Sequence, residues 1–213
     1  MKKNCLSVVV ATAILATGLL TSCKQEAAPV EPEPATPVDT AAIVLDNIMT
    51  RTSIRQYQNT PVADSVVENI LRAAMAAPTA RNTQPWSFIV VKDTALLRQI
   101  AEACPNAGMC AQAPLAIVVC GDESKMMQGE SREMWVDDCS AATENILLMA
   151  HAYGLGAVWT GFYPVSERVK LLCGILGIPE GQIPLCVIPM GYPAENPAPK
   201  DKWKTENIHY DKW

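Results

Sequence analysis

The 213-residue chain carries 17 basic against 22 acidic side chains, a formal charge of −5, with 49% hydrophobic and 18% charged residues. An acidic chain of this kind has no electrostatic footprint for nucleic acid, and its length suits one domain with a real core. Eight cysteines and two histidines follow no ligand spacing, which argues against a metal site.

The N-terminus reads separately from the rest. Met1-Lys2-Lys3 is a basic start, Leu6 to Leu20 an uncharged apolar run too short for a permanent membrane span, and Leu20-Thr21-Ser22-Cys23 resembles a bacterial lipoprotein cleavage box. Residues 1–22 are therefore expected to be a lipoprotein signal peptide and Cys23 the lipidated residue. A signal peptide cut elsewhere, with Cys23 incidental, is the competing reading. Residues 23–38 alternate Pro29, Pro32, Pro34 and Pro37 with Glu26, Glu31 and Glu33, a composition that favours an extended linker. The expectation is an exported domain, residues 39–213, on the periplasmic or cell-surface side and held to a membrane by its lipid alone.

Within that domain, Asp39 to Thr50 reads as a helix with Ile43, Val44 and Ile48 as its apolar positions. Ser65-x-x-Glu68 is a capping-box signature, and Val66, Val67, Ile70, Leu71 and Ala74 form a helical stripe running up to Pro78. Trp86 to Val91 is strand-like, Asp93 to Ala103 helical, and Leu115 to Cys120 a buried strand. Gly121 to Glu133 is a polar, Met-bearing excursion. The longest helix, about Asp137 to Tyr153, follows, with Ala142, Ile146, Met149, Ala150 and Tyr153 on one face. A strand-like Gly156 to Gly161, a helix about Val165 to Leu176 and a strand Leu185 to Met190 complete four strands and five helices. Pattern alone permits a parallel α/β sheet.

Two stretches carry chemistry. Arg51-Thr52-Ser53-Ile54-Arg55 sets two guanidinium groups and a hydroxyl on alternate positions, which face one way in an extended segment and suit a phosphate. Pro78-Thr79-Ala80-Arg81-Asn82-Thr83-Gln84-Pro85-Trp86 is a loop stiffened by proline at both ends, whose hydroxyl and amide groups suit a planar heterocycle with mixed edges. An ordinary polar helix-to-strand turn is the plainer account of the same loop.

Together these stretches resemble the FMN-dependent nitroreductase family, as do Gly154 to Gly161, Gly191-Tyr192-Pro193 and the Lys-rich tail ending Ile208-His209-Tyr210. The resemblance covers about Leu45 to Trp213. It implies an α+β fold, a three-layer α-β-α sandwich around a mixed, mostly antiparallel sheet, in a homodimer whose C-terminal segments embrace the partner. It implies FMN as cofactor, with the phosphate on Arg51, Ser53 and Arg55, with Thr52 among them, and closed over by Lys200 and Lys202. It implies flavin contacts from Pro78, Thr79, Ala80, Asn82 and Gln84 across the dimer interface, and from the backbone of Thr160 and Gly161. A solvated tail is the competing, less favoured reading of Lys200 and Lys202.

In that family flavin N5 carries the hydride by a ping-pong route from NAD(P)H to nitroaromatic, quinone or similar acceptors, so no side-chain acid, base or nucleophile is required. His151 then reads as a structural helix residue and His209 as a dimer contact. Met126, Met127, Met134 and Trp135 occupy the family's substrate-lid position, although Trp135 serves equally as an anchor for the following helix. Cys120 and Cys186 read as core residues, while Cys104 and Cys110 flank Pro105 to Met109 at a spacing that matches no zinc or redox motif, their pairing in an oxidising compartment left open. A tethered flavin-binding lipoprotein without nicotinamide turnover, and a flavin-dependent dehalogenase or flavin-degrading enzyme, are the alternative functions.

Overall fold

Strand β2 (Leu115–Asp122) is the spine of the sheet. In the computed structural model, which describes residues 38–213, it pairs antiparallel with β1 (Trp86–Val91) on one side and β5 (Gln182–Gly191) on the other. The short strands β3 (Gly156–Ala157) and β4 (Thr160–Gly161) both pair antiparallel with β5. One parallel bridge joins Ser53 to Ala157. All the strand pairings are thus antiparallel, and the one parallel contact is an isolated bridge outside the strands. A parallel arrangement, which pattern alone permitted, is excluded. Both faces of β2 are covered, so its burial reads alike in either topology. The signal peptide, Cys23 and the linker lie outside the described residues, apart from Val38.

Side chains alternate across the sheet with the strand period of two. Leu115, Ile117 and Val119 face a cluster containing Ile70 and Ala74 of α2 (Asp64–Met75) and Ile146 and Ala150 of α4 (Met134–Ala152). Ala116, Val118 and Cys120 face the opposite cluster, with Leu97 and Ile100 of α3 (Thr94–Ala103) and Leu172 of α5 (Ser166–Leu176). That gives the three layers. The remaining helix, α1 (Thr40–Thr50), buries none of its side chains. It is tied to α4 where Asn47 Nδ2 donates to the Leu148 carbonyl at 3.1 Å and Thr50 Oγ1 meets His151 Nε2 at 2.9 Å.

Several boundaries differ from the sequence expectation. Helix α2 starts at Asp64 after Ala63, without a side-chain cap; Ser65 already lies inside its first turn, and Glu68 is held by Arg72 one turn on. Helix α4 begins at Met134, three residues early, so Met134 and Trp135 belong to its first turn instead of to the excursion. The stretch Gly156 to Gly161 is broken at Val158-Trp159 into two strands, giving five in all. Strand β5 is longer than expected and carries a bulge: Val119 is opposite Cys186 while Cys120 is opposite Pro184, which leaves Leu185 as the extra residue. The freed Leu185 carbonyl accepts from both Phe162 N (3.0 Å) and Tyr163 N (3.1 Å), fixing the chain just after β4.

Candidate functional site

The arginine segment leaves α1 in extended conformation and is pinned to residues far along the chain. Ile54 N–H donates to the Ala157 carbonyl at 3.1 Å. The Tyr57 hydroxyl lies 2.7 Å from the Ile54 carbonyl and 3.0 Å from the Pro189 carbonyl, and burial pushes its pKa well above the ordinary phenol value. The Glu195 carboxylate accepts from the backbone N–H groups of Arg55 and Gln56, and Ala194 N donates to the Gln56 carbonyl at 2.9 Å. Gly156 lies directly beneath Ile54, where a Cβ would stand 2.5 Å from Ile54 Cγ2. Side chains at 51 and 55 are consequently presented by a fixed backbone. Arg51 is 17% exposed, 3.7 Å from Glu144 of α4, while Thr52 and Ser53 are half-buried.

Arg55 is exposed on the wall of a cavity of about 480 Å³, which it shares with Pro105, Asn106, Trp159, Thr160 and Gly161. Thr160 is buried, its hydroxyl donating to the Val187 carbonyl at 2.6 Å, so its side chain is engaged inside the sheet. Gly161 is exposed and a Cβ there would meet nothing within 4 Å. A guanidinium, a strand edge without a side chain and a flat indole thus border one open space, a fit to an anionic group attached to a planar ring. Pro105 and Asn106 sit in a 3₁₀ stretch, Pro105–Gln112, which sequence reasoning treated only as the span between two cysteines.

The Pro78 to Gln84 loop is held in a strained form. Arg81, Asn82 and Gln84 have φ of 51°, 56° and 49°, the left-handed region that costs a non-glycine residue on the order of 1 kcal/mol. Local bonds support it: Gln84 N donates to Thr79 Oγ1 at 3.1 Å and Gln84 Nε2 to Asn82 Oδ1 at 3.0 Å. From outside the loop, Asp138 of α4 accepts from Ala80 N at 2.8 Å. Asp138 is 6% exposed; burial, seconded by the neighbouring Asp137, pushes its carboxyl above the ordinary range against the pull of that hydrogen bond. Two buried side-chain polar atoms among the described residues lack a partner, and one is the loop hydroxyl Thr83 Oγ1. Pro78, Asn82 and Gln84 are exposed, and the loop borders neither this cavity nor the next, so one chain does not bring it together with Arg55.

A second cavity of about 620 Å³ shares Trp159 with the first and is walled by Glu133, Met134, Asp137 and Tyr163. The Tyr163 hydroxyl donates to Glu133 Oε2 at 2.8 Å, an acceptor that raises the phenol pKa, and Arg132 bonds both Glu133 (2.9 Å) and Glu123 (2.6 Å). Of the four residues expected as a lid, only Met134 lines this space. Met127 is half-buried. Trp135 and Met126 are core side chains, 1% and 5% exposed, packed over Gly121, where a Cβ would stand 2.3 Å from Trp135 Cε3. The glycine makes room for the indole, and Trp135 anchors α4; its ring stands edge-on to Tyr163 with centroids 4.8 Å apart.

Lys200 and Lys202 lie exposed in the C-terminal segment, and neither lines the cavity that Arg55 borders. His209 packs on Trp213 in the same segment, centroids 4.0 Å apart. Cys104 and Cys110 are buried free thiols; burial pushes Cys110, Cys120, Cys139 and Cys186 up to about 12. Sequence reasoning missed Asp138 and Glu195, the two carboxylates that hold backbone at the two predicted segments. The signal available was slight: a second acidic residue beside Asp137, and a Glu shortly after Gly191-Tyr192-Pro193.

Comparison with known proteins agrees with this geometry. The Nitroreductase family matches residues 48–108 and 103–192. A protein of Methanothermobacter thermautotrophicus with the provisional name NADH dehydrogenase/NAD(P)H nitroreductase is 48% identical over 171 residues, 80% of this chain and 87% of its own. A crystal structure of a Bacteroides thetaiotaomicron protein under the same provisional name is 44% identical, covering 80% of this chain and 98% of that one with a TM-score of 0.76. The Bacillus subtilis FMN reductase [NAD(P)H] is 26% identical over 182 residues, 78% of this chain and 72% of its own. With its sheet, its arginine segment and its proline-bracketed loop in these places, the chain belongs to the nitroreductase family.

Proposed function

We propose that the chain is an FMN-dependent oxidoreductase that takes electrons from NAD(P)H and passes them to nitroaromatic, quinone or similarly electron-poor acceptors. The observation that carries this reading is the meeting of Arg55 with Thr160 and Gly161 on one cavity wall. The names of the similar proteins support flavin and a nicotinamide donor. Bound FMN supplies reversible hydride transfer at N5. The chain's part is binding, orientation and shielding. Arg51, Ser53 and Arg55 hold the phosphate, joined by Lys200 and Lys202. The Thr160 and Gly161 backbone faces the ring edge, with no Cβ at Gly161 to hold it off. No side chain moves a proton in this scheme.

The loop contacts are supplied by a second copy: Pro78, Thr79, Ala80, Asn82 and Gln84 of one protomer complete the site of the other. Support for a homodimer comes from α1, where Ile43, Val44, Leu45 and Ile48 are each about half exposed or more, and from exposed Trp203, Tyr210 and Trp213 in the C-terminal segment. Placement outside the cytoplasm, on a lipid at Cys23, rests on the sequence of residues 1–23. No helix among the described residues is long and apolar enough to cross a membrane.

The test is a visible absorption spectrum of the purified protein with FMN, followed by anaerobic NADH and NADPH. Prompt bleaching of bound flavin is expected. Bleaching by dithionite alone favours the second reading, a flavin-binding protein without nicotinamide turnover, which the export signal favours because NAD(P)H is scarce outside the cytoplasm. Failure to bind FMN overturns the assignment of Arg51, Ser53, Arg55 and Asn82.

A further inference from the structure

We infer that Asp138 is a positioning residue for the flavin-contacting loop, its carboxylate holding the Ala80 backbone so that Thr79, Asn82 and Gln84 keep the geometry in which they meet the ring. The inference rests on the FMN reading above and adds to it a residue that touches no ligand itself. Asp138 is nearly fully buried, and its recorded hydrogen bond is the one it accepts from Ala80 N at 2.8 Å. A buried carboxylate is retained at such a cost where it satisfies a specific donor.

The loop has reason to need it. Three of its residues stand in left-handed backbone conformation, and a strained segment persists only where its surroundings over-determine it. The bonds among Thr79, Asn82 and Gln84 close the loop on itself and do not fix it to the body of the domain. Pro85 is fixed at the far end, where its carbonyl accepts from Asp122 N at 2.7 Å. The Asp138 bond fixes the near end, at Ala80. The neighbouring Cys139 Sγ lies 3.9 Å from the Pro85 carbonyl, so one turn of α4 reaches both ends of the loop. The same turn carries Asp137, which walls the larger cavity.

The test compares Asp138→Ala and the near-isosteric Asp138→Val, which lack an acceptor, with Asp138→Asn, which keeps one oxygen in place. FMN dissociation constants are read by fluorescence titration of the full chain, together with hydrogen exchange at the Ala80 amide and the thermal midpoint of the flavin-free protein. Ala and Val are expected to weaken FMN binding by roughly 10- to 100-fold and to expose the Ala80 amide, with Asn within about threefold of wild type. Two acceptor-free variants are used so that one that fails to fold does not leave the other unread. FMN affinity unchanged in Ala and Val, or lost equally in Asn, overturns the inference, as does a fall in thermal midpoint with no change in affinity. If the wild type binds no FMN, the functional reading fails instead, and Ala80 exchange still decides the positioning role: faster in Ala and Val supports it, unchanged overturns it.

Discussion

Replacing Gly156 by alanine tests whether the arginine segment, proposed above to hold the FMN phosphate, is as firmly seated as its hydrogen bonds suggest. The added Cβ would stand 2.5, 2.6 and 2.8 Å from Ile54 Cγ2, Cβ and Cγ1, where ordinary contact begins at 3.4 Å, so Ile54 has to retreat by about 1 Å. It is poorly placed to do so. Ile54 is β-branched and 7% exposed, its N–H is held by Ala157, and its carbonyl is held by Tyr57. Overpacking at such a site costs about 1–3 kcal/mol of stability. The displaced backbone also carries Ser53 and Arg55 away from the phosphate position, where a charge-assisted hydrogen bond is worth about 1.5–3 kcal/mol, so FMN affinity should fall by roughly 10- to 100-fold. Urea unfolding and flavin fluorescence titration read the two effects separately. Gly174→Ala is the control: a Cβ there meets nothing within 4 Å, it lies within α5, and it should add up to about 1 kcal/mol of stability with no change in affinity. An unchanged urea midpoint and dissociation constant for Gly156→Ala would show that Ile54 gives way freely and would refute the seating argument.

Arg55→Ala should raise the FMN dissociation constant by roughly 10- to 100-fold while leaving the unfolding free energy in urea within about 0.5 kcal/mol of wild type, since the side chain is exposed; equal affinity would remove Arg55 from the phosphate site. Trp135→Ala should cost about 3–5 kcal/mol in urea unfolding, whereas Met134→Ala, 43% exposed on the cavity wall, should cost within about 0.5 kcal/mol and shift acceptor KM instead. The reverse order would restore Trp135 as a cover. Among the cysteines of residues 38–213, only Cys173 is half-exposed, so thiol titration of the native protein at pH 8 should modify Cys173 and spare the other five until denaturant is added. Rapid labelling of Cys110 or Cys139 would contradict their burial.

What could be read in advance followed from chemistry written locally. Arg51, Ser53 and Arg55 lead one to expect an anion site by type and spacing, and of the three Arg55 borders a cavity, while two prolines around amides lead one to expect a stiffened polar loop. What could not be read depends on distant partners. Trp135 is ambiguous in sequence because the space its ring fills belongs to Gly121, on strand β2. The true start of its helix at Met134 is hidden in the sequence, because Met134 and Trp135 look like loop residues until that packing is known. The sheet's direction was undecidable from Leu115 to Cys120, whose two faces are equally apolar. Ser65 and Glu68 fit a capping box, yet the helix begins at Asp64, whose carboxylate is taken by Lys92. Asp138 is marked only slightly, as a second acidic residue beside Asp137, because its partner is a backbone N–H and sequence does not say which amide a carboxylate will find.

The pinning of residues 54–57 also sets a schedule for biosynthesis. Ile54 waits for Ala157, Tyr57 for Pro189, and Arg55 and Gln56 for Glu195. On the ribosome the arginines emerge early and have nothing to dock against until almost the whole domain has been made. A chain halted before residue 195 therefore carries the arginine segment without its platform, and any ligand that needs that segment in place is captured only by a nearly completed chain.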